Sequence, residues 1–282
     1  MNSAAVLKEV SPRVELPGVA VWFSKAFPLG ALGKHATPRQ PNAIPGISVG
    51  IATTLEREII WAVAILQANA QKLRDYIELK GRIEENLAHG DFAEAQRILD
   101  NLTDNVCWSH GCLALKLFLI SKIEGLESQK NWLVENILSR TNSPAAFFGY
   151  WLGVRQEPET DPQDFEANIV QSVPNLFTAN EDNAFLRHIL MARAASPEEE
   201  ANLVQQLQAQ SIIDMYEGLV SQLIDCSARH RESKRHYLNH LVPLMEDIGD
   251  WRQKGVGYLL SGNVDPETLD GASGWSASRF ID

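Results

Sequence analysis

The stretch Gly90-Asp91-Phe92-Ala93-Glu94-Ala95-Gln96-Arg97-Ile98-Leu99-Asp100-Asn101-Leu102 decides the fold, because it has the pattern of one complete amphipathic helix. Gly90-Asp91 supplies a helix start signal. Small alanines at 93 and 95 allow a neighbouring helix to approach closely. The apolar side chains recur at the three- and four-residue steps of one helical face: Phe92, Ala95, Ile98, Leu99 and Leu102. Similar spacing returns downstream, so the sequence predicts an all-α protein.

The longest predicted helix precedes this stretch. Thr53 as N-cap and Glu56 three residues later fit a capping box. Apolar residues then follow at helical spacing as far as Ile83, with no proline and with Gly81 as the only glycine. The pattern predicts one helix from about residue 54 to about residue 88, either straight or bent near Gly81.

Shorter helical patterns fill the chain after residue 90. Pro144, Pro162 and Pro197 each follow a candidate N-cap residue, which is where first-turn prolines belong. Period-two alternation is almost missing, so a strand is conceivable only over residues 19–23. The predicted helices cover residues 91–102, 106–124, 128–139, 144–154, 162–173, 181–194, 197–209, 212–229, 234–245 and 247–261.

The two ends of the chain differ from this helical middle. Proline and glycine are frequent in residues 1–52, which disfavours long helices there. We therefore predict an extended N-terminal arm that packs on its own chain or docks on a partner, with Trp22 and Phe23 as candidate partner-binding residues. Residues 53–261 are predicted to form a helical, repeat-like domain. A loose tail over 262–282 follows, with candidate anchors Trp275 and Phe280.

Apolar doublets recur in alternate predicted helices. They are separated by 39, 32 and 34 residues and comprise Ile98-Leu99, Ile137-Leu138, Ile169-Val170 and Leu203-Val204. A helix pair of this length cannot bury its apolar stripe alone, so stacking on the next pair is expected. An irregular helical bundle would also give pairs of similar length.

The segment Gly90 to Ala95 resembles the second helix of tetratricopeptide repeats, which often carries Gly-[Asp/Asn]-Phe/Tyr-x-x-Ala. The resemblance extends over about residues 88–230, although the other units lack the matching Gly-x-Tyr and Ala-x-x-x-Phe positions in register. It implies stacked antiparallel helical hairpins, an α-solenoid, with a concave surface that binds peptides or partner proteins.

The net charge, the number of cysteines and the length of apolar runs disfavour several classes of function. The formal net charge of −11 disfavours broad binding to nucleic acid or to anionic membranes. Three cysteines give no disulfide framework and suit a reducing compartment. No apolar run approaches the roughly 20 residues that a membrane span needs, and no secretory signal is present. We therefore expect a cytoplasmic protein without a membrane partner, and the net charge disfavours nucleic acid as its partner.

Two clusters of chemically active residues are candidate sites. Cys107, His110 and Cys112 supply three possible zinc ligands, but no second cluster completes a set of four. Two thiols five residues apart also diverge on a helix, and free cysteines are often buried as small apolar residues. The sequence thus predicts neither a metal site nor a cofactor.

The second cluster lies between Arg229 and His240. His236 and His240 are one helical turn apart, but the glutamate of an HExxH metalloprotease motif is missing. The pattern Arg235-His236-x-x-x-His240 resembles the motif of HEPN-type ribonucleases. That resemblance implies His240 as general acid/base on a ribose 2′-hydroxyl and Arg235 as stabiliser of the phosphate charge. The alternatives are a solvated basic helix start and a phosphate or nucleic-acid contact formed by Arg229, Arg231, Lys234 and Arg235.

The sequence contains no phosphate-binding glycine loop. The favoured hypothesis is therefore a non-enzymatic protein–protein interaction module, an adaptor or complex subunit that presents a helical groove. Its expected partner is another protein or peptide, and a homo-oligomer is an open option. The alternative hypothesis is a HEPN-like helical ribonuclease or nucleic-acid-contacting effector that uses Arg235 and His240.

Overall fold

The computed structural model describes residues 37–45, 52–139, 144–157, 159–176, 184–191, 199–229 and 231–255. These residues form helices and turns and contain no β-strand, which confirms the all-α prediction. Most of the predicted arm and the whole predicted tail lie outside the described residues. None of the described helices combines the length and the apolarity that crossing a bilayer requires.

The helices follow one another with short connections. A 3₁₀ turn at Pro41–Ala43 precedes them, and a π-helical segment, Val134–Leu138, continues α5. The α-helices are α1 Leu55–Gln67, α2 Ala70–His89, α3 Phe92–Asn105, α4 His110–Glu124, α5 Leu126–Leu133, α6 Pro144–Arg155, α7 Pro162–Leu176, α8 Ala184–Met191, α9 Glu200–Leu207, α10 Ile212–Arg229 and α11 Arg231–Ile248.

The predicted single helix over 54–88 is wrong, because the chain breaks between α1 and α2. The break lies at Ala68 and Asn69 rather than at Gly81, which stays inside α2. The Asn69 side-chain amide donates to the Ile65 carbonyl at 2.9 Å, and its backbone N–H donates to Leu66 at the same distance. Asparagine competes for backbone partners in this way, and here it ends the helix.

The predicted capping box at the start of α1 pairs different residues. Thr53 donates from its backbone N–H and its hydroxyl to Glu58 Oε1, at 2.8 and 2.7 Å, while Glu56 does not take this role. Gln208 donates to the other oxygen of Glu58 at 2.7 Å. Glu58 is fully buried, so the start of α1 is fixed to the end of α9 as well as to its own cap.

Gly90-Asp91 performs two tasks at the α2–α3 turn. Gly90 has a φ of +76°, which favours glycine, and its N–H donates to Leu87 at 3.1 Å. The Asp91 backbone N–H donates to the Asn86 carbonyl at 2.9 Å, which completes a Schellman motif. The Asp91 carboxylate then accepts from Glu94 N–H at 3.1 Å as the N-cap of α3. The predicted core face of α3 is confirmed, since Ala95, Ile98, Leu99 and Leu102 are buried.

The helices close on themselves rather than forming a simple open stack. Consecutive helices α2 to α5 pack as neighbours, and α6 lies against α4, α5 and the π-helical segment. The C-terminal helices α9, α10 and α11 then return to pack on α1. The inner face of α1 is buried among them through Ile59, Ala62, Val63 and Leu66. The α-solenoid arrangement of tetratricopeptide repeats is therefore not confirmed.

Two glycines inside helices should respond in opposite ways to alanine. A Cβ on Gly81 would meet nothing within 4 Å, so Gly81→Ala should stabilise the protein by about 0.5–1 kcal/mol through helix propensity. A Cβ on Gly218 would lie 2.6 and 2.8 Å from the Cδ atoms of buried Leu207. Gly218→Ala should therefore cost about 1–2 kcal/mol. Urea unfolding of both variants tests the packing of α9 on α10, and equal signs would contradict it.

Candidate functional site

Several predicted site residues lie where the structure gives no side-chain information. The candidate anchors Trp22, Phe23, Trp275 and Phe280 lie outside the described residues. Arg229 ends α10, and Arg231 and Lys234 lie in the first turn of α11, but their side chains are outside the described set. Their roles stay predictions.

The predicted nuclease pair on α11 does not converge. Arg235 is exposed, whereas His240 is half-buried and faces α1. Because Arg235 and His240 are five residues apart on one helix, their side chains point about 140° away from each other around the helix axis. The side chains that do converge are His236 and His240, whose Nδ1 and Nε2 atoms lie 3.7 and 3.9 Å from Glu56 Oε1.

This arrangement favours an inter-helix contact over phosphate chemistry. Burial lowers the pKa of His240, although Glu56 acts in the opposite direction, so the environment favours the neutral ring. A carboxylate beside His240 also repels a phosphate group. The ribonuclease hypothesis therefore has no supporting contact among the described residues.

Cys107 and Cys112 are buried and free, and their environment favours the neutral thiol. Burial raises the pKa of Cys107 far above its usual range and raises the pKa of Cys112 to about 12. Zinc binds the thiolate, which this environment disfavours. In the described part of the chain, no group of three or more His, Cys, Asp or Glu side chains is arranged to hold a metal ion.

His110 pairs with Asp214, a residue that the sequence motif did not suggest. The His110 ring Nδ1 lies 3.0 Å from Asp214 Oδ2, and the His110 backbone N–H donates to both carboxylate oxygens at 3.0 and 2.9 Å. Ser211 Oγ donates to the same carboxylate at 2.9 Å. The His110 imidazole packs against the rings of Phe148 and Phe185, with centroid distances of 4.2 and 5.5 Å. Asp214 thus binds the first turn of α4 to the first turn of α10.

A second polar group, partly buried, was not indicated by the sequence, and we name it the Glu217 cluster. Arg252 holds Glu217 by two contacts, Nη1 to Oε2 at 2.7 Å and Nη2 to Oε1 at 2.9 Å. Lys80 and Tyr76 donate to Glu217 from α2, at 3.0 and 2.8 Å. Arg252 also donates to the buried Asp250, which accepts from the Tyr216 hydroxyl. The Glu217 cluster comprises Tyr76, Lys80, Tyr216, Glu217, Asp250 and Arg252.

The end of α11 places two members of this cluster. Gly249 adopts a φ of +76°, and Asp250 N–H donates to the Met245 carbonyl at 2.9 Å in a second Schellman motif. The chain therefore turns inward and buries Asp250. Burial raises the pKa of Glu217, but Arg252 and Lys80 outweigh it and hold that pKa well below the usual range. The repeat of Gly-Asp after a helix, seen first at Gly90-Asp91, was the available sequence signal.

The remaining candidate is a surface on α6. Residues 144–154 of this helix, Pro-Ala-Ala-Phe-Phe-Gly-Tyr-Trp-Leu-Gly-Val, carry no charged side chain, and Arg155 is the first. The inner face is buried and comprises Ala145, Phe148, Gly149, Leu152 and Gly153. The opposite face is equally apolar but only partly covered, and Tyr150 is 51% exposed. A helix that is apolar all round is normally buried on every side, so this outer face is exceptional.

Aromatic rings dominate that outer face, and we name Phe147, Tyr150 and Trp151 the α6 aromatic surface. The Trp151 ring lies 5.3 Å from Tyr150, 6.4 Å from Phe147 and 5.8 Å from Phe165 of α7. The glycines behind it bring α6 close to its support. A Cβ on Gly149 would lie only 3.0 Å from side-chain atoms of Ile137 and Leu133. The surface is thus presented on a closely packed helix.

Comparison with known proteins leaves the family undefined. No family model matches the chain. No solved structure matches it either. The chain is similar to a protein of Sinorhizobium fredii (strain NBRC 101917 / NGR234) that is described as uncharacterized protein y4jQ, with 19% identity over 230 residues. The match covers 82% of this chain but 22% of that protein's length. The similarity therefore joins this chain to part of a much longer protein and transfers no activity.

Proposed function

We propose that this chain is a non-enzymatic protein-interaction module and that the α6 aromatic surface binds its partner. The single observation that carries the proposal is the outer face of α6, which is apolar along its length and yet partly open, with Tyr150 half exposed. Apolar surface that stays open to water is costly, and where it forms a patch it commonly belongs to an interaction site.

The residue types also suit this role. Tyrosine and tryptophan are enriched among the side chains that dominate binding energy, because they bury a large area at a small cost in conformational entropy. Trp151 is held between Tyr150 and Phe165, so little further ordering is needed when a partner arrives. By contrast, the Glu217 cluster and Asp214 are occupied by contacts within the chain, which favours structural roles for them.

Replacing Tyr150 with alanine should weaken partner binding strongly without unfolding the protein. The tagged full-length chain should capture a partner from native lysate. The captured amount should be at least about tenfold lower with Tyr150→Ala, which corresponds to about 1.4 kcal/mol of binding free energy. Because Tyr150 is half exposed, stability should change by less than about 1 kcal/mol.

The matched control is Trp251→Ala, which removes another exposed aromatic side chain, 40% accessible, after the end of α11. Quantitative mass spectrometry of the captured material compares the three proteins. A partner that Trp251→Ala removes while Tyr150→Ala leaves it bound would place the interface elsewhere and refute the proposal.

A further inference from the structure

We infer that the segment bound at the α6 aromatic surface is a positively charged amphipathic helix of a partner protein. The inference rests on the proposed function and adds the chemistry of the partner. Residues 156–186 contain no lysine or arginine and seven acidic residues, namely Glu157, Glu159, Asp161, Asp164, Glu166, Glu181 and Asp182. The whole chain has a net charge of −11, so this short stretch carries a large part of the excess.

Among the described acidic residues, Glu159 and Asp161 lie in the connection between α6 and α7, and Asp164 lies in the first turn of α7. Trp151 contacts Phe165 at 5.8 Å, and Asp164 is the neighbour of Phe165 in the first turn of α7. Glu159, Asp161 and Asp164 are exposed. The α6 aromatic surface is thus followed directly in the chain by an exposed anionic segment, which Phe165 joins to Trp151.

Contacts within the chain leave part of this negative charge available. Lys130 neutralises Glu157 at 2.9 Å. Asp161 is occupied as the α7 N-cap and accepts from Gln163 N–H at 2.8 Å. Within the described residues, no salt bridge involves Glu159 or Asp164. These two carboxylates are therefore the ones that a cationic partner would meet.

A lysine- or arginine-rich amphipathic helix matches both features at once. Its apolar stripe would cover Tyr150 and Trp151, as in other complexes that seat a helix on an apolar surface. Its cationic flanks would meet Glu159 and Asp164, and a guanidinium could also stack on an exposed aromatic ring. Like-charge repulsion disfavours an acidic segment at the same place.

Fluorescence anisotropy with a designed peptide tests the inference on the full chain. The probe is a labelled peptide of about 16 residues, long enough to form a helix, with leucines at three- and four-residue steps and lysines between them. Two comparison peptides have the same composition in scrambled order, or glutamate in place of lysine. The amphipathic lysine peptide should bind, and the scrambled peptide should bind at least about tenfold more weakly.

Protein variants test the contributions of the aromatic surface and of the carboxylates separately. Tyr150→Ala and the double variant Glu159→Gln/Asp164→Asn should each weaken binding of the lysine peptide about tenfold. The double variant Glu78→Gln/Glu85→Gln makes the same charge change at exposed positions of α2 and should leave binding unchanged. Equal weakening by both double variants, or equal binding of the scrambled peptide, would mean unspecific attraction of a polycation and would overturn the inference.

The remaining outcomes distinguish this inference from the proposed function. Tighter, Tyr150-dependent binding of the glutamate peptide would refute the charge of the partner but support the α6 aromatic surface as the interface. If no peptide binds and sedimentation shows self-association that Tyr150→Ala abolishes, the occupant is a second copy of this chain. If no peptide binds and the chain stays monomeric, the inference fails, and the capture experiment alone decides the proposed function.

Discussion

The variant Arg252→Met should unfold with a free energy about 3 kcal/mol below that of the native sequence. Methionine keeps much of the apolar volume of arginine but removes the charge that neutralises Glu217 and Asp250. The Arg252 side chain is 12% exposed and that of Asp250 is 0% exposed, so water cannot replace the lost partner well. Denaturant unfolding monitored by circular dichroism measures the difference.

Arg74→Met is the matched control for this prediction. Arg74 makes the same type of bridge, to Asp247 at 2.9 Å, but the two side chains are 41% and 58% exposed. Its loss should cost less than about 1 kcal/mol, as is typical of surface ion pairs. If the two variants lose equal stability, the Glu217 cluster does not fasten the end of α11 to α2 and α10.

The pH dependence gives the same prediction a second test. Arg252 and Lys80 hold the folded-state pKa of Glu217 below its ordinary value of 4.5, despite burial. This contribution to stability is complete above pH 4.5 and is lost as the pH falls through that value towards the folded-state pKa. Arg252→Met removes much of the pKa difference. The gap between the native sequence and the variant should therefore narrow below pH 4.5.

Asp214→Asn should cost about 2–3 kcal/mol, the second large effect that we expect. The carboxylate accepts from the His110 backbone N–H and from Ser211 Oγ, and it also contacts the His110 ring. An asparagine offers one acceptor oxygen, and its amide group would direct N–H groups at N–H donors. At 4% exposure of Asp214, the lost acceptor cannot be replaced by solvent.

Asp91→Asn provides the comparison for Asp214. It changes the same side chain at the exposed N-cap of α3, where asparagine caps about as well as aspartate. Its effect should stay below about 0.5 kcal/mol. Hydrogen exchange adds a local readout, since the first turn of α4 should lose protection in Asp214→Asn. Unchanged exchange there would show that Asp214 does not hold α4 in place.

The sequence alone determined the helical class and most helix positions. Apolar spacing on α3, the proline at the start of α6 and the Gly90-Asp91 turn are local features, and each acts within a few residues of itself. The two wrong predictions, the unbroken helix and the Glu56 cap, concern places where neighbouring polar groups compete for the same backbone partners. The spacing of apolar residues does not show which of them succeeds. Asn69 ended a helix that had a continuous apolar stripe, and Glu58 rather than Glu56 closed the cap of Thr53.

Only the tertiary structure decided which distant residues meet. Asp214 reaches His110 across 104 residues, and Glu217 reaches Lys80 across 137. No periodic pattern encodes such pairs, because a helix repeat describes which side of a helix is apolar and not which helix lies against it. The same reason applies to α6, because a helix that is apolar on every side does not show in its sequence which face is covered. The packing of α6 on α4 and α5 covers one face and leaves Tyr150 half exposed on the other.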